Sequence, residues 1–146
     1  MRFRLLFLTL IISSLGYTLQ AQNNIDWETL ADVGFEDHLS EDYGVPYQVA
    51  TFGEKVRKLE GQAIQIRGYM IPLDAMGLSY VLSRNPNASC FFCGGAGPES
   101  IIKLKIKPEH IKRYQTDEVR TFRGTLQLNE SNRKAFNYVL LEAEPL

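Results

Sequence analysis

Two cysteines separated by two phenylalanines carry the most distinctive chemistry of this chain. Cys90 and Cys93 are its only cysteines, and three of its eleven glycines follow in the stretch Cys90-Phe91-Phe92-Cys93-Gly94-Gly95-Ala96-Gly97-Pro98-Glu99. Thiols at this spacing can bind a soft metal ion, close into a small disulfide or exchange electrons. The residue types indicate these three uses and leave the choice among them open.

The first interpretation is a metal site. A structural zinc ion takes four ligands, of which one Cys-x-x-Cys pair supplies two, and thiolates favour zinc or cuprous copper over magnesium or calcium. Further candidate ligands are the carboxylate and imidazole side chains of Asp74, Glu99, His38 and His110. The predicted zinc ligands are Cys90, Cys93, Glu99 and Asp74. Two copies meeting as a homodimer would complete a four-cysteine site instead.

The second interpretation is a disulfide between Cys90 and Cys93, which would be the default for an unmetallated pair outside the cytoplasm. It would close a very small loop and stabilise it modestly, and it predicts a stapled structural or protein-interaction domain. Thiol redox chemistry is disfavoured because glycines and Pro98, not a helix, follow the cysteines. In a purely structural role, Glu99 would accept hydrogen bonds from the amides of the glycine-rich loop.

The first 21 residues predict a signal peptide and therefore a periplasmic or secreted protein. Arg2 and Arg4 precede an apolar run over 5–15, and Ala21 offers a small residue for cleavage. The run is shorter than the roughly 20 residues of a membrane span. Removing Arg2 and Arg4 takes the formal net charge from −1 to −3. We therefore expect no nucleic-acid partner, since such proteins usually present a strongly basic face.

The sequence offers no catalytic set beyond the two thiols. It contains neither a Ser-His-Asp arrangement nor a phosphate-binding glycine loop, so a non-enzymatic binding module is favoured. The lysines at 103, 105 and 107 alternate with apolar residues and are interpreted as the solvated side of a strand.

Two-residue periodicity predicts the fold. Alternating segments predict strands over 63–70, 78–83, 100–107, 119–128 and 136–143, with glycine bends at Gly68 and Gly124. Five strands without long crossover helices favour a five-stranded OB-like Greek-key barrel with short helical segments. A β-sandwich is the alternative. The predicted organisation is a signal peptide (1–21), an N-terminal extension packing on the barrel (22–52) and the barrel domain (53–146).

Shorter signals predict the local structure of the extension. Asp26 is expected to cap a helix that begins at Trp27 and ends before Gly34, and the acidic segment 35–46 is expected to be surface turns. Residues 47–52 are expected to be extended, and 53–60 to form one or two helical turns.

Several segments occur together in an order that is similar to a known family. They are Trp27-Glu28-Thr29-Leu30, Ile66-Arg67-Gly68-Tyr69-Met70-Ile71-Pro72-Leu73-Asp74, the cysteine stretch and Arg123-Gly124-Thr125-Leu126. The chain resembles the exported bacterial family known as domain of unknown function 3299, and its Phe-Phe loop resembles the Bacteroidetes-type members. The resemblance implies export and an OB-like barrel, and it implies no particular activity.

Overall fold

The computed structural model describes residues 23–40, 44–86, 97–130, 132 and 135–146. These residues form eight strands: β1 (Asn23–Asn24), β2 (Val33–Leu39), β3 (Pro46–Phe52), β4 (Ala63–Pro72), β5 (Tyr80–Ser83), β6 (Ile101–Ile106), β7 (Val119–Leu128) and β8 (Tyr138–Pro145). They also form two short helices, α1 (Trp27–Leu30) and α2 (Glu54–Arg57), and 3₁₀ turns at Pro98–Ser100 and Pro108–His110. Within this described part, no helix has the length and apolar character needed to span a membrane.

Strands β4 to β8 close into a barrel. Around it the order is β4-β5-β6-β8-β7, and β7 pairs with β4 to complete the circle. The β6–β8 pair is parallel, whereas the other four pairs of the barrel are antiparallel. This closed five-stranded arrangement confirms the predicted OB-like barrel and replaces the alternative of two stacked sheets.

The predicted barrel strands agree closely with the observed ones. The strand predicted over 119–128 has those bounds in the structure, and the other four differ at their ends by one or two residues. The alternation is visible in the burial of β4, where Ile64, Ile66, Gly68 and Met70 are buried and the residues between them are less so. A two-residue period thus identified the faces of the strands as well as their positions.

The N-terminal segment departs from its prediction after the first helix. Asp26 caps α1 as expected, since its Oδ1 accepts a hydrogen bond from the backbone N–H of Thr29 at 2.8 Å, and this bonding lowers the pKa of Asp26. The helix then ends at Leu30, and β2 pairs antiparallel with β3. The expected surface turns over 35–46 were therefore wrong for most of that segment. Its exposed acidic side chains belong to a strand that pairs with the next strand along the chain, β3.

The N-terminal segment and the barrel share one buried cluster. Leu30 and Phe52 lie in the same cluster as Ile64, Phe122 and Tyr138. The buried hydroxyl of Tyr138 donates a hydrogen bond to the carbonyl of Leu30 at 2.6 Å, so a polar group of β8 is satisfied by helix α1. The predicted boundary between extension and barrel at residue 53 stays a prediction.

Gly68 lies where β4 is tightly enclosed. A Cβ atom at this position would approach the carbonyl oxygen of Ser83 to 2.5 Å, Cγ of Leu82 to 2.8 Å and Cζ2 of Trp27 to 2.9 Å. The indole N–H of Trp27 donates to the carbonyl of Arg67 at 2.8 Å, which holds the ring over this part of the strand. The glycine therefore permits close packing of the chain on both sides of β4.

We expect Gly68→Ala to lower the free energy of unfolding by about 1–3 kcal/mol, the usual cost of adding a carbon to a packed interior. Thermal and denaturant unfolding would measure the change. The matched control is Gly34→Ala on β2, where a Cβ would meet no heavy atom within 4 Å. The control should stay within about 0.5 kcal/mol of the native protein. Equal stabilities for the two variants would contradict the proposed role of Gly68.

Glu144 joins three parts of the barrel through ion pairs. Its Oε2 accepts from Nζ of Lys107 at 2.7 Å, and its Oε1 accepts from Nε of Arg123 at 2.7 Å. Lys107 follows β6, Arg123 lies on β7 and Glu144 lies on β8. The hydrogen bonds from Lys107 and Arg123 lower the pKa of Glu144 from 4.5 to about 2, and Glu144 raises the pKa of Lys107.

A carboxyl group whose pKa is lower in the folded state stabilises the fold above its unfolded pKa, and this stabilisation is lost as the pH falls. We therefore expect Glu144→Gln to unfold at a lower temperature than the native protein at pH 7. The difference should shrink as the pH falls from about 4.5 towards 2 and Glu144 itself becomes protonated. Thermal unfolding across this pH range measures the difference in unfolding temperature. The control is Glu60→Gln, because Glu60 is exposed and does not belong to this group of ion pairs. A pH-independent difference would contradict this assignment.

Candidate functional site

The cysteine loop connects β5 to β6, and the base of this connection is well defined. Ser83 pairs with Ile101, and the backbone N–H of Arg84 donates to the carbonyl of Ser100 at 2.9 Å. Residues 87–96, which include Cys90 and Cys93, lie outside the described residues. The metal, disulfide and redox interpretations of the two thiols therefore all stay predictions.

Glu99 lies at the base of this loop. It belongs to the 3₁₀ turn Pro98–Ser100, and its Oε1 accepts a hydrogen bond from the backbone N–H of Gly97 at 3.2 Å. The same turn is fixed by the hydroxyl of Ser100, which donates to the carbonyl of Gly97 at 2.7 Å. The expected hydrogen bond between Glu99 and an amide of the glycine-rich segment is confirmed. This bond uses one carboxylate oxygen of Glu99.

Asp74 lies at the other end of β5. Its carboxylate belongs to the turn between β4 and β5, where Oδ1 accepts from the backbone N–H of Leu78 at 3.1 Å. This and neighbouring amides of the turn lower the pKa of Asp74. Since a strand rises about 3.3 Å per residue, β5 places roughly 10 Å between this turn and the base of the cysteine loop. The described structure thus does not bring Asp74 and Glu99 together.

The two histidines lie on separate elements. His38 is on β2, with its Nε2 3.8 Å from a carboxylate oxygen of Glu36 and its ring 5.8 Å from that of Tyr47. His110 ends the 3₁₀ turn that follows β6. Over the described ranges, no group of three or more His, Cys, Asp and Glu side chains is placed to hold a metal ion. A complete metal site would need the loop cysteines.

The structure also contains a groove that was not predicted from the sequence. A groove of about 420 Å³ lies on β6 beside the connection between β7 and β8, and its lining includes Lys103, Lys105 and Phe136. The lysines were interpreted as the solvated side of a strand; in the structure Lys103 is only partly exposed, and burial lowers its pKa. No local pattern indicated the groove, because its walls come from segments more than 20 residues apart. 

The closed order of strands defines the class of the protein as an OB-like barrel. A crystal structure of a protein of the family domain of unknown function 3299, from Pseudomonas aeruginosa PAO1, has the same fold with a TM-score of 0.56. The match covers 86% of this chain and 97% of that one at 16% sequence identity. No protein-family model matches the chain, and no curated protein matches it.

This structural neighbour supports the resemblance to domain of unknown function 3299 that was stated from the sequence. At 16% identity the likeness establishes the shared fold. The name of that family assigns no activity, so any function must be argued from the residues of this chain.

Proposed function

We propose that this protein is an exported, non-enzymatic binding module whose β5–β6 loop holds a transition metal ion, most plausibly zinc by its ligand chemistry. The observation that carries the proposal is the position of Glu99 at the base of the loop that contains both cysteines. Export is proposed from the arginine-flanked apolar segment within 1–21.

The proposed donor set has the chemistry that zinc favours. Cys90 and Cys93 would supply thiolates, and Glu99 would supply a carboxylate oxygen from the same connection. Asp74 is left out of the proposed set because β5 separates its turn from the loop. A second copy of the chain is the proposed source of the remaining ligand.

The pairing of β5 with β6 supports this choice of site. Both ends of the connection are anchored on adjacent strands, since Ser83 pairs with Ile101 and Arg84 bonds to Ser100. A ligand set carried by one anchored connection loses less conformational freedom on binding than ligands on independent segments. The competing function is a domain stapled by a Cys90–Cys93 disulfide, which the same anchoring permits, so the experiment must distinguish them.

We expect protein purified after export without chelator to carry zinc in native mass spectrometry, and Cys90→Ser to lose it. Glu99→Gln should weaken zinc binding by about tenfold or more. Replacing a residue that only hydrogen-bonds to a metal ligand already costs about this much affinity. Glutamine retains an oxygen that can accept from the N–H of Gly97, so the turn is preserved in this variant. Asp74→Asn is the matched control and should bind zinc as the native protein does.

The mass of the metal-free protein distinguishes the alternatives. A native protein two hydrogens lighter than its reduced form, and without bound zinc, would replace the metal proposal with the disulfide. Zinc retained unchanged by Cys90→Ser would contradict the assignment of the site to this loop.

A further inference from the structure

The groove beside β6 has the size and lining of a small-molecule site. Its volume of about 420 Å³ falls within the range of roughly 300–1,000 Å³ that is usual for ligand pockets. The lining includes the two basic residues Lys103 and Lys105, and apolar surface is supplied by Phe136 and Val139. Val139 is only 7% exposed, so the apolar part lies deep and the charged part lies nearer to the solvent.

Among the described residues, no carboxylate pairs directly with either lysine of the groove. Across the described part of the chain, no acidic oxygen lies within 4.0 Å of the ammonium of Lys103 or Lys105. The partly buried Nζ of Lys103 donates to the hydroxyl of Ser79, a neutral partner. Burial lowers the pKa of Lys103, and the weaker opposing influence is the charge of Asp74. Over the described ranges, Lys103 is thus partly desolvated without a direct carboxylate partner.

Lys107, which follows β6, provides a comparison because its ammonium has a carboxylate partner. Its ammonium is 2.7 Å from Glu144, and this pairing raises its pKa. The charge of Lys107 is therefore balanced within the protein, whereas the two charges in the groove are available to a ligand.

The wall opposite the lysines is held in place by Asn129. Its side-chain Nδ2 donates to the backbone carbonyls of Asn132 at 3.0 Å, Ala135 at 3.3 Å and Phe136 at 3.4 Å. Its backbone N–H donates to the carbonyl of Asn137 at 2.8 Å. These bonds tie Asn129 to the backbone around Phe136, which lines the groove.

We infer that this groove binds a small organic anion, a carboxylate or phosphate attached to a ring or short hydrocarbon body. The anionic group would lie against Lys103 and Lys105, where charge-assisted hydrogen bonds are strong. The apolar body would pack on Phe136 and Val139. The anion would supply the counter-charge that Lys103 lacks, which gives the ligand a favourable interaction that a neutral analogue cannot make.

The groove favours a small ligand over a single-stranded nucleic acid. Polynucleotide sites present a continuous basic path with several aromatic side chains for stacking. Here the lining includes one aromatic residue, Phe136, and the whole chain has a formal net charge of −1. The two lysines match one anionic group better than a row of phosphates.

Two-dimensional NMR of the protein purified after export would test this inference with phenyl phosphate and benzoate as probes. We expect at least one of them to shift the backbone amides of Lys103, Lys105, Phe136 and Val139 in a saturable manner. Benzyl alcohol, which has the ring without the charge, should bind at least about tenfold more weakly, as expected for the loss of a charge-assisted hydrogen bond. Lys105→Gln should weaken binding of the anion by a similar factor.

The exposed Lys55→Gln on α2 is the matched control and should bind the anion normally. Lys105 is exposed, so its substitution should leave the fold intact. Lys103→Gln provides a second variant, and thermal unfolding checks that it folds. The inference is overturned if benzyl alcohol binds as well as both anions, or if neither lysine variant weakens binding. It is also overturned if a single-stranded oligonucleotide binds the groove more tightly than the small anions.

Discussion

The barrel depends on strand β4 pairing with different partners along its length. Its first part, from Ala63 to Tyr69, pairs with β7, and its last part, from Tyr69 to Pro72, pairs with β5. One strand thus joins both sides of the sheet and removes the free edges that an open sheet would expose. Gly68 lies where these pairings meet and where Ser83 and Trp27 approach most closely. The absence of a side chain at this point allows the close packing required by the closed barrel.

The barrel could be predicted from the sequence because its information is local. Each strand carries its own two-residue alternation, and the segment Val119–Leu128 could be placed to the residue. The hairpin of β2 and β3 could not be predicted in this way. Glu36 and Asp37 are exposed on β2 and are typical of turns, but β3 supplies the hydrogen bonds that make the segment a strand. Pairing with the next strand along the chain outweighed local composition.

The two candidate sites also differ in how far local sequence could reveal them. The cysteine loop was found from sequence because its chemistry depends on residue types at close spacing, and Glu99 was correctly placed against a glycine amide. The proximity of Asp74 could not be judged, since the lengths of β4 and β5 decide which turns share an end of the barrel. The groove depends still more on the fold. Lys103 and Phe136 become neighbours only because β6 and β8 pair in parallel.

The N-terminal segment links the barrel to the surroundings of the cysteine loop. Glu28 on α1 forms an ion pair with Arg84 at the base of the loop, with 2.6 Å between Oε1 and Nη2. Such an exposed pair contributes little stability by itself, on the order of 0–1 kcal/mol. The position of α1 is instead fixed by the buried side chain of Leu30 and by the hydrogen bond from Tyr138 to its carbonyl. Because packing fixes α1, the ion pair can orient Arg84, and a segment outside the five barrel strands thereby helps to define where the loop begins.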